Sequence, residues 1–301
     1  MDKVVSQVIV LFIIIIIGFV CRKKGILGGE INKGIADLLL YVTLPLLIIS
    51  SFNFTFSRNM LYTAVVILVI SFIIHFMSYI IGLVLFRKYP VGRKKVLQFM
   101  TIFSNCGYMG FPVLTSIFKE VGVFYGSMYN IPFTIFVWTI GVRIFQGKEE
   151  KSNLKKVLIN PGIIATIIGL IIFIFSIKMP APLADAIKMV GSMTTPLSML
   201  IIGSMLADAD LKASIFDKTI YYATFVRIVL LPGLALGVLR LLGMRGIPLT
   251  VSVLMIGMPV AANTVIFSEK YGGDSVFAST LIFLTTLLSL ATIPVIILLS
   301  K

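Results

Sequence analysis

The sequence predicts an all-helical membrane protein, with ten transmembrane helices arranged as two inverted five-helix repeats. Three observations predict this class. First, 58% of the 301 residues are hydrophobic and 13% are charged, and the mean hydropathy is +1.08, which excludes an ordinary soluble domain. Second, apolar windows of membrane length recur along the whole chain. Third, proline and glycine positions of the first half return in the second half.

The apolar windows are separated by short polar connections, and each can cross a hydrocarbon core of roughly 30 Å, which needs about 20 helical residues. The ten windows cover residues 4–21, 35–52, 60–86, 96–118, 123–145, 161–177, 183–206, 215–242, 247–267 and 275–299.

Basic residues concentrate in alternate connections and predict the orientation. Examples are Arg22, Lys23 and Lys24 after the first window, and Arg87 and Lys88 after the third. Because cytoplasmic loops carry an excess of Lys and Arg, this side is predicted to be cytoplasmic. Ten spans in the cell membrane then leave both termini outside. The net charge of +14 arises from these loops, so no nucleic-acid partner is predicted.

Two halves with five spans each follow from the longest polar connection, at residues 146–160. The halves comprise residues 1–148 and 149–301, and because five is odd they must insert with opposite orientation. Pro45 then aligns with Pro196, and the sequence GFPV at residues 110–113 aligns with GMPV at residues 257–260. Inverted repeats of this kind are typical of secondary transporters.

The fourth and ninth spans are predicted to break at mid-membrane, near residues 110–112 and 257–259. Proline removes an amide donor there, and glycine allows the backbone to leave helical geometry. Such breaks survive only inside protein or beside a wet cavity. The half-helix N-termini then favour an anion, although proline kinks also serve close helix packing. The candidate substrate-binding residues are Asn105, Cys106, Gly107, Tyr108, Gly110, Pro112, Gly257, Pro259, Asn263 and Thr264.

Two ionisable residues fall deep within spans, where a charge needs partners or water. Arg227 either supplies positive potential to an anionic substrate or is a structural cation bonded to carbonyl groups. His75 either carries a proton or is a neutral histidine bonded to a neighbouring helix. No carboxylate is expected at mid-membrane. No catalytic residue, metal site or cofactor is therefore predicted, and a coupling ion, proton or sodium, stays open.

Two motifs resemble the auxin efflux carrier family, whose bacterial members include malate and malonate permeases. They are SNCGYMGFPV at residues 104–113 and GMPVAANTVIFSEKYGGD at residues 257–274. The resemblance implies a fold similar to bile acid symporters and sodium/proton antiporters. Helices 1, 2, 6 and 7 would form a scaffold, which implies a homodimer, and helices 3, 4, 5, 8, 9 and 10 a transport domain. The substrate site would lie where helices 4 and 9 cross, at Asn105, Pro112, Pro259 and Asn263.

The predicted function is secondary transport of a small organic anion through the lipid membrane by elevator-type alternating access. The anion would be a mono- or dicarboxylate, such as malate, malonate or an auxin-like carboxylate. The alternatives are an anion channel and a sensor built on a transporter-like fold. A membrane-embedded enzyme is disfavoured, because the sequence contains no HExxH and no glycine-flanked nucleophilic serine.

Overall fold

The structure is a computed structural model that describes residues 2–146, 154–208 and 217–300. Within these ranges every regular element is helical, and extended backbone pairs at one isolated antiparallel bridge. The described α-helices are α1 (Asp2–Lys23), α2 (Gly29–Leu38), α3 (Leu44–Ser50), α4 (Arg58–Leu85), α5 (Val91–Ile102), α6 (Phe111–Phe136), α7 (Val142–Gln146), α8 (Leu154–Leu158), α9 (Pro161–Ile174), α10 (Ala181–Ser192), α11 (Thr194–Ala207), α12 (Lys218–Phe225), α13 (Leu231–Leu241), α14 (Gly246–Gly257), α15 (Asn263–Tyr271) and α16 (Ser275–Ser300).

Short π-helical turns join several of these helices, at Leu39–Thr43, Cys106–Gly110, Val137–Gly141 and Val226–Leu230. The first, second and fourth of them directly precede helices that have a proline at their second position, namely Pro45, Pro112 and Pro232. Proline lacks an amide hydrogen and its ring crowds the carbonyl group four residues back. The turn before each proline is therefore wider than an ordinary α-helical turn.

Seven described helical stretches are long and apolar enough to cross a membrane by length and composition, and α9 and α14 are shorter apolar helices. The chain is thus a multi-pass membrane protein. The predicted fourth and fifth windows overlap one continuous helical stretch, Cys106–Gln146. Its backbone kinks at Lys119, where φ is 52° and ψ is −138°. The count of ten crossings stays a prediction.

Contacts between Cα atoms divide the chain into two compact units. Unit 1 comprises Met1–Leu68, Gly107–Ile131 and Lys155–Ala207, and unit 2 comprises Val69–Cys106, Pro132–Leu154 and Asp208–Lys301. Helices α4 and α6 contribute to both units. The predicted repeat boundary at residues 148 and 149 lies outside the described residues, as do the loop lysines Lys148, Lys151 and Lys212.

In unit 1, glycines allow α1 and α11 to touch backbone to backbone. A Cβ atom on Gly18 would lie 2.2 Å from the Leu200 carbonyl oxygen, and one on Gly203 would lie 2.0 Å from the Ile15 carbonyl oxygen. No side chain fits at such distances, so glycine is required at both positions. Small residues of this kind are the usual means by which membrane helices approach closely.

Unit 2 is organised around an aromatic cluster that holds the end of α5 against α15. The rings of Phe99 and Phe103 lie 4.4 Å apart between centroids, and Phe267 of α15 lies 5.1 Å from Phe99. Phe145 of α7 completes the contact at 5.3 Å from Phe99. All four rings are buried. This packing positions the two chain segments that form the candidate site.

One edge of unit 2 is tied together by Arg93 near the start of α5. Its Nε donates to Asp274 Oδ2 at 3.1 Å, and its Nη1 donates to Asp217. Each carboxylate also accepts from an amide at a helix start, Asp217 from Thr219 at 2.8 Å and Asp274 from Phe277 at 3.0 Å. Burial alone would raise the pKa of Asp217, but the hydrogen bonds from Thr219 and the guanidinium of Arg93 outweigh it and hold the pKa below its usual value.

Candidate functional site

Two non-helical segments meet in unit 2, at residues 103–105 after α5 and at residues 258–262 between α14 and α15. They run antiparallel and pair at Ser104 and Val260. The amide of Asn105 donates to the Pro259 carbonyl oxygen at 2.8 Å. In a membrane, backbone groups that leave a helix must find partners inside the protein. These two breaks supply partners for each other.

Side chains satisfy further backbone groups around the breaks. Ser104 Oγ donates to the Met255 carbonyl oxygen near the end of α14 at 2.7 Å. The amide of Val260 donates to Oγ1 of Thr285 on α16 at 3.1 Å. Neither Ser104 nor Thr285 was among the candidate residues. Ser104 directly precedes Asn105 in the fourth-span motif and could have been included, whereas Thr285 has no proline or glycine nearby to draw attention to it.

The break in the fourth segment lies earlier in the chain than the sequence predicts. The prediction placed it at residues 110–112, but Cys106–Gly110 is a π-helical turn that leads directly into α6. Pro112 lies inside the continuous helical stretch Cys106–Gln146, and the wide π turn that precedes it accommodates the missing amide hydrogen. Pro112 therefore widens a helical turn without ending the helix, and the extended backbone falls at residues 103–105, ahead of the π turn.

The second break begins where α14 ends, at Gly257. A Cβ atom on Gly257 would lie 2.5 Å from Cδ1 of Ile296 on α16. The φ of Gly257 is not in the left-handed region, so the constraint on this position is the space beside Ile296 and not an unusual backbone angle. Pro259 follows in the extended segment, and its carbonyl oxygen accepts from Asn105.

Arg227 lies in the π-helical turn Val226–Leu230 and is fully buried. Its guanidinium donates to four carbonyl oxygens at the ends of the two interrupted helices. The contacts are Nη1 to Met100 at 3.1 Å, Nη1 to Thr101 at 3.1 Å, Nε to Met258 at 3.1 Å, and Nη2 to Ile256. Of the two roles that the sequence leaves open, this geometry matches the cation bonded to carbonyl groups.

The segments at residues 103–105 and 258–262, with the helix ends that flank them, are called the crossing below. The polar candidates of unit 2 lie around it. Asn105 and Cys106 are buried, and Cys106 Sγ lies 2.9 Å from Ser104 Oγ. Asn263 is the first residue of α15 and is half-buried. Thr264 is buried, and its hydroxyl donates to the Ala261 carbonyl oxygen at 2.7 Å. The structure therefore brings Asn105, Cys106, Gly257, Pro259, Asn263 and Thr264 together with Arg227 in one unit.

The other candidates of the fourth-span motif cluster with unit 1. Gly107 and Tyr108 are half-buried in the π-helical turn, and Gly110 and Pro112 are buried. A Cβ atom on Gly107 would meet open space, with nothing within 4 Å. No packing constraint thus explains glycine at position 107.

His75 is buried in the part of α4 that belongs to unit 2. Its Nδ1 lies 2.7 Å from the carbonyl oxygen of Ser71, one turn back in the same helix. The rings of Phe133 and Phe136 lie 5.9 Å and 5.6 Å from its ring, between centroids. This environment suits a neutral imidazole that is bonded within its own helix.

A separate polar cavity of about 340 Å³ lies within unit 1. Glu120 and Lys188 pair across it at 2.9 Å, and Asn53 and Asp185 also line it. None of the sequence-predicted candidates lines this cavity.

The crossing has a definite electrostatic pattern. Helices α5 and α14 present their carbonyl ends to it, each equivalent to roughly −0.5 elementary charge. The guanidinium of Arg227 covers those ends. Helix α15 begins at Asn263, directly after the second break, and its N-terminus is equivalent to roughly +0.5 charge. Since the negative ends are already covered, the remaining helix end favours an anion.

Comparison with known proteins supports transport. The family model of a membrane transport protein matches residues 3–156 and 151–297. An uncharacterized transporter of Methanocaldococcus jannaschii is 26% identical over 301 residues, with 95% of each chain covered. An uncharacterized transporter of Methanothermobacter thermautotrophicus is 25% identical over 294 residues, with 96% of each covered.

A third relative, from Rhizobium meliloti, is named provisionally as a malonate transporter. It is 23% identical over 305 residues, which cover 97% of this chain and 94% of that protein. All three relatives are named as transporters and none as an enzyme. The family match spans nearly the whole chain and agrees with the resemblance that the two motifs indicated. The chain therefore belongs to the membrane transport protein family, the transporters related to auxin efflux carriers.

Proposed function

We propose that this protein is a secondary transporter that moves a small organic anion, a mono- or dicarboxylate, across the cell membrane. The single observation that carries the proposal is the crossing in unit 2, where Arg227 covers the carbonyl ends of α5 and α14. The N-terminus of α15 and the buried side chain of Asn105 lie at the same crossing. A carboxylate would bind on this positive side. Malonate and malate are the first substrates to test, since one relative carries malonate in its name.

The architecture that we propose for transport is the one that the family resemblance implies. Ten spans would form two inverted repeats with both termini outside. Of the ten predicted spans, the first, second, sixth and seventh would form the dimeric scaffold. The other six spans would move the crossing from one membrane face to the other. Interrupted helices that meet at the site of a repeat protein are the usual arrangement for such alternating access.

The membrane potential supplies a driving force without any further machinery. For each negative charge that leaves a cell with a negative interior, a potential of 100 mV contributes about 2.3 kcal/mol. An organic anion would therefore flow outwards through this protein unless its gradient opposes it. Export is the direction that we propose.

Flux measurements in proteoliposomes test the proposal. Purified protein would be reconstituted, and entry of radiolabelled malonate, malate and succinate would be followed under a clamped potential. We expect saturable flux of at least one carboxylate and loss of that flux in Asn105→Ala. Asn59→Ala is the matched control, because Asn59 is an exposed amide at the start of α4.

Each outcome has a defined meaning. Equal flux through Asn105→Ala and wild type would remove Asn105 from the substrate site. Flux that rises linearly with concentration and appears as unitary currents in planar bilayers would identify an anion channel instead. No flux of any carboxylate by folded, reconstituted protein would refute the proposed function.

A further inference from the structure

We infer that the guanidinium of Arg227 is a resident cation that fills the carbonyl site at the crossing, so that the anion moves without a coupled sodium or potassium ion. The inference rests on the proposed function for its meaning in transport. It deepens that function by assigning the coupling mode, which neither the sequence motifs nor the names of the relatives give.

The interrupted helices offer the oxygen ligands that a cation site needs. The last carbonyl groups of any helix have no partner within it. Met100 and Thr101 belong to the last turn of α5, and Ile256 and Met258 lie at the end of α14. In transporters with broken helices, such carbonyl ends coordinate the coupling cation. The crossing thus gathers the kind of oxygen cluster that would bind sodium.

Arg227 already occupies this oxygen cluster. Three of its contacts measure 3.1 Å, to Met100, Thr101 and Met258, and a fourth reaches Ile256. A guanidinium has five donors in a rigid plane and stays charged at any pH of interest. A metal ion could enter only if the side chain of Arg227 left, and Arg227 is fully buried.

The charges also balance without a second cation. Two carbonyl helix ends of roughly −0.5 each amount to about −1, which the single charge of Arg227 compensates. Among the described residues, no Asp or Glu is fully buried, so no carboxylate in the interior competes for the guanidinium or provides a further cation site. The positive end of α15 is then the helix end that we assign to the anionic substrate.

The first test needs no variant and no known substrate. Thermal unfolding of the wild-type protein in detergent would be measured in sodium, potassium and choline chloride at constant ionic strength. We expect the same midpoint in all three salts. A saturable increase in the midpoint with sodium or potassium concentration would overturn the inference, whatever the protein transports.

The second test uses flux of the best carboxylate from the reconstitution screen. Replacing sodium by choline on both sides should change the initial rate less than twofold, and labelled sodium should not accompany the substrate. The charge moved per molecule should equal the charge of the anion itself. A tenfold dependence on sodium, or stoichiometric sodium entry, would overturn the inference while leaving organic anion transport intact.

A variant tests the role of the side chain directly. In Arg227→Gln the oxygen cluster loses its cation, so millimolar guanidinium should raise the unfolding midpoint of this variant but not that of wild type. Arg240→Gln is the control, since Arg240 is an exposed arginine of α13 in the same unit. An Arg227→Gln protein as stable as wild type, and indifferent to guanidinium, would count against the inference. If this variant does not fold, the two wild-type tests decide.

Discussion

Gly257 provides a quantitative test of how tightly α14 packs beside the crossing. A Cβ atom at this position would lie 2.5 Å from Cδ1 of Ile296 and 3.4 Å from Cβ of Pro232. Ordinary contacts between such carbons begin near 3.4 Å. Gly257→Ala therefore forces the Ile296 side chain to move by roughly 1 Å, in a core that is packed like a crystal.

The magnitude follows from known costs of overpacking. Inserting one methyl group without space costs about 1–3 kcal/mol in free energy of unfolding. Ile296→Val alone removes the clashing carbon and costs about 0.5–1.5 kcal/mol. In the double variant the clash is absent, so its total cost should be close to that of Ile296→Val alone. The two substitutions should thus show a favourable coupling of about 1–3 kcal/mol, equal to the cost of Gly257→Ala alone and within the range for residues in contact.

The measurement is the free energy of unfolding of the four proteins in mixed detergent and SDS micelles. Gly233→Ala is the control, because a Cβ atom at that helical position of α13 would meet nothing within 4 Å. It should be neutral or stabilising by up to about 1 kcal/mol. If the costs of Gly257→Ala and Ile296→Val simply add to within about 0.5 kcal/mol, the steric reasoning is wrong.

Two further predictions concern ionisable groups. His75→Gln should retain carboxylate flux within about threefold, because the imidazole is bonded within its own helix; loss of flux with a changed pH profile would instead indicate a proton carrier. Asp217 has a lowered pKa in the folded protein, so its stabilising contribution is present above pH 4 or so and is lost as the pH falls through the folded pKa. Asp217→Asn should lower the unfolding midpoint at pH 7 and flatten the loss of stability on acidification, and an unchanged pH dependence would show that the pair with Arg93 is not stabilising.

Hydropathy was sufficient to predict the class of fold, because a membrane requires backbone groups to be satisfied within each segment. The proline and glycine motifs also identified the two regions that leave helical geometry. The predicted position of the first break was wrong, because a proline inside a helix can widen the preceding turn without interrupting the helix. Pro112 follows the π turn at Cys106–Gly110, and the extended residues lie ahead of that turn.

The contacts of Arg227 could not be predicted from the sequence. Its carbonyl partners in α5 lie 126 and 127 residues away in the chain. Every residue has a backbone carbonyl group, so the residue types do not show which of these groups accept. The sequence left bonding to carbonyl groups as one of two roles for Arg227 and did not identify which groups would accept. The role of Gly257 was likewise hidden, because its need for space depends on Ile296 in another helix.

The two breaks can pair only after both segments have been synthesised. Ser104 can reach its partner Met255 only after 151 further residues have been translated. At roughly 5–20 residues per second, a ribosome needs about 8–30 s for that interval. Until then the first interrupted segment carries polar main-chain atoms that hydrocarbon cannot accommodate. We therefore expect the amino-terminal half to need protection from lipid during insertion until residues 255–261 have been synthesised and can pair with it.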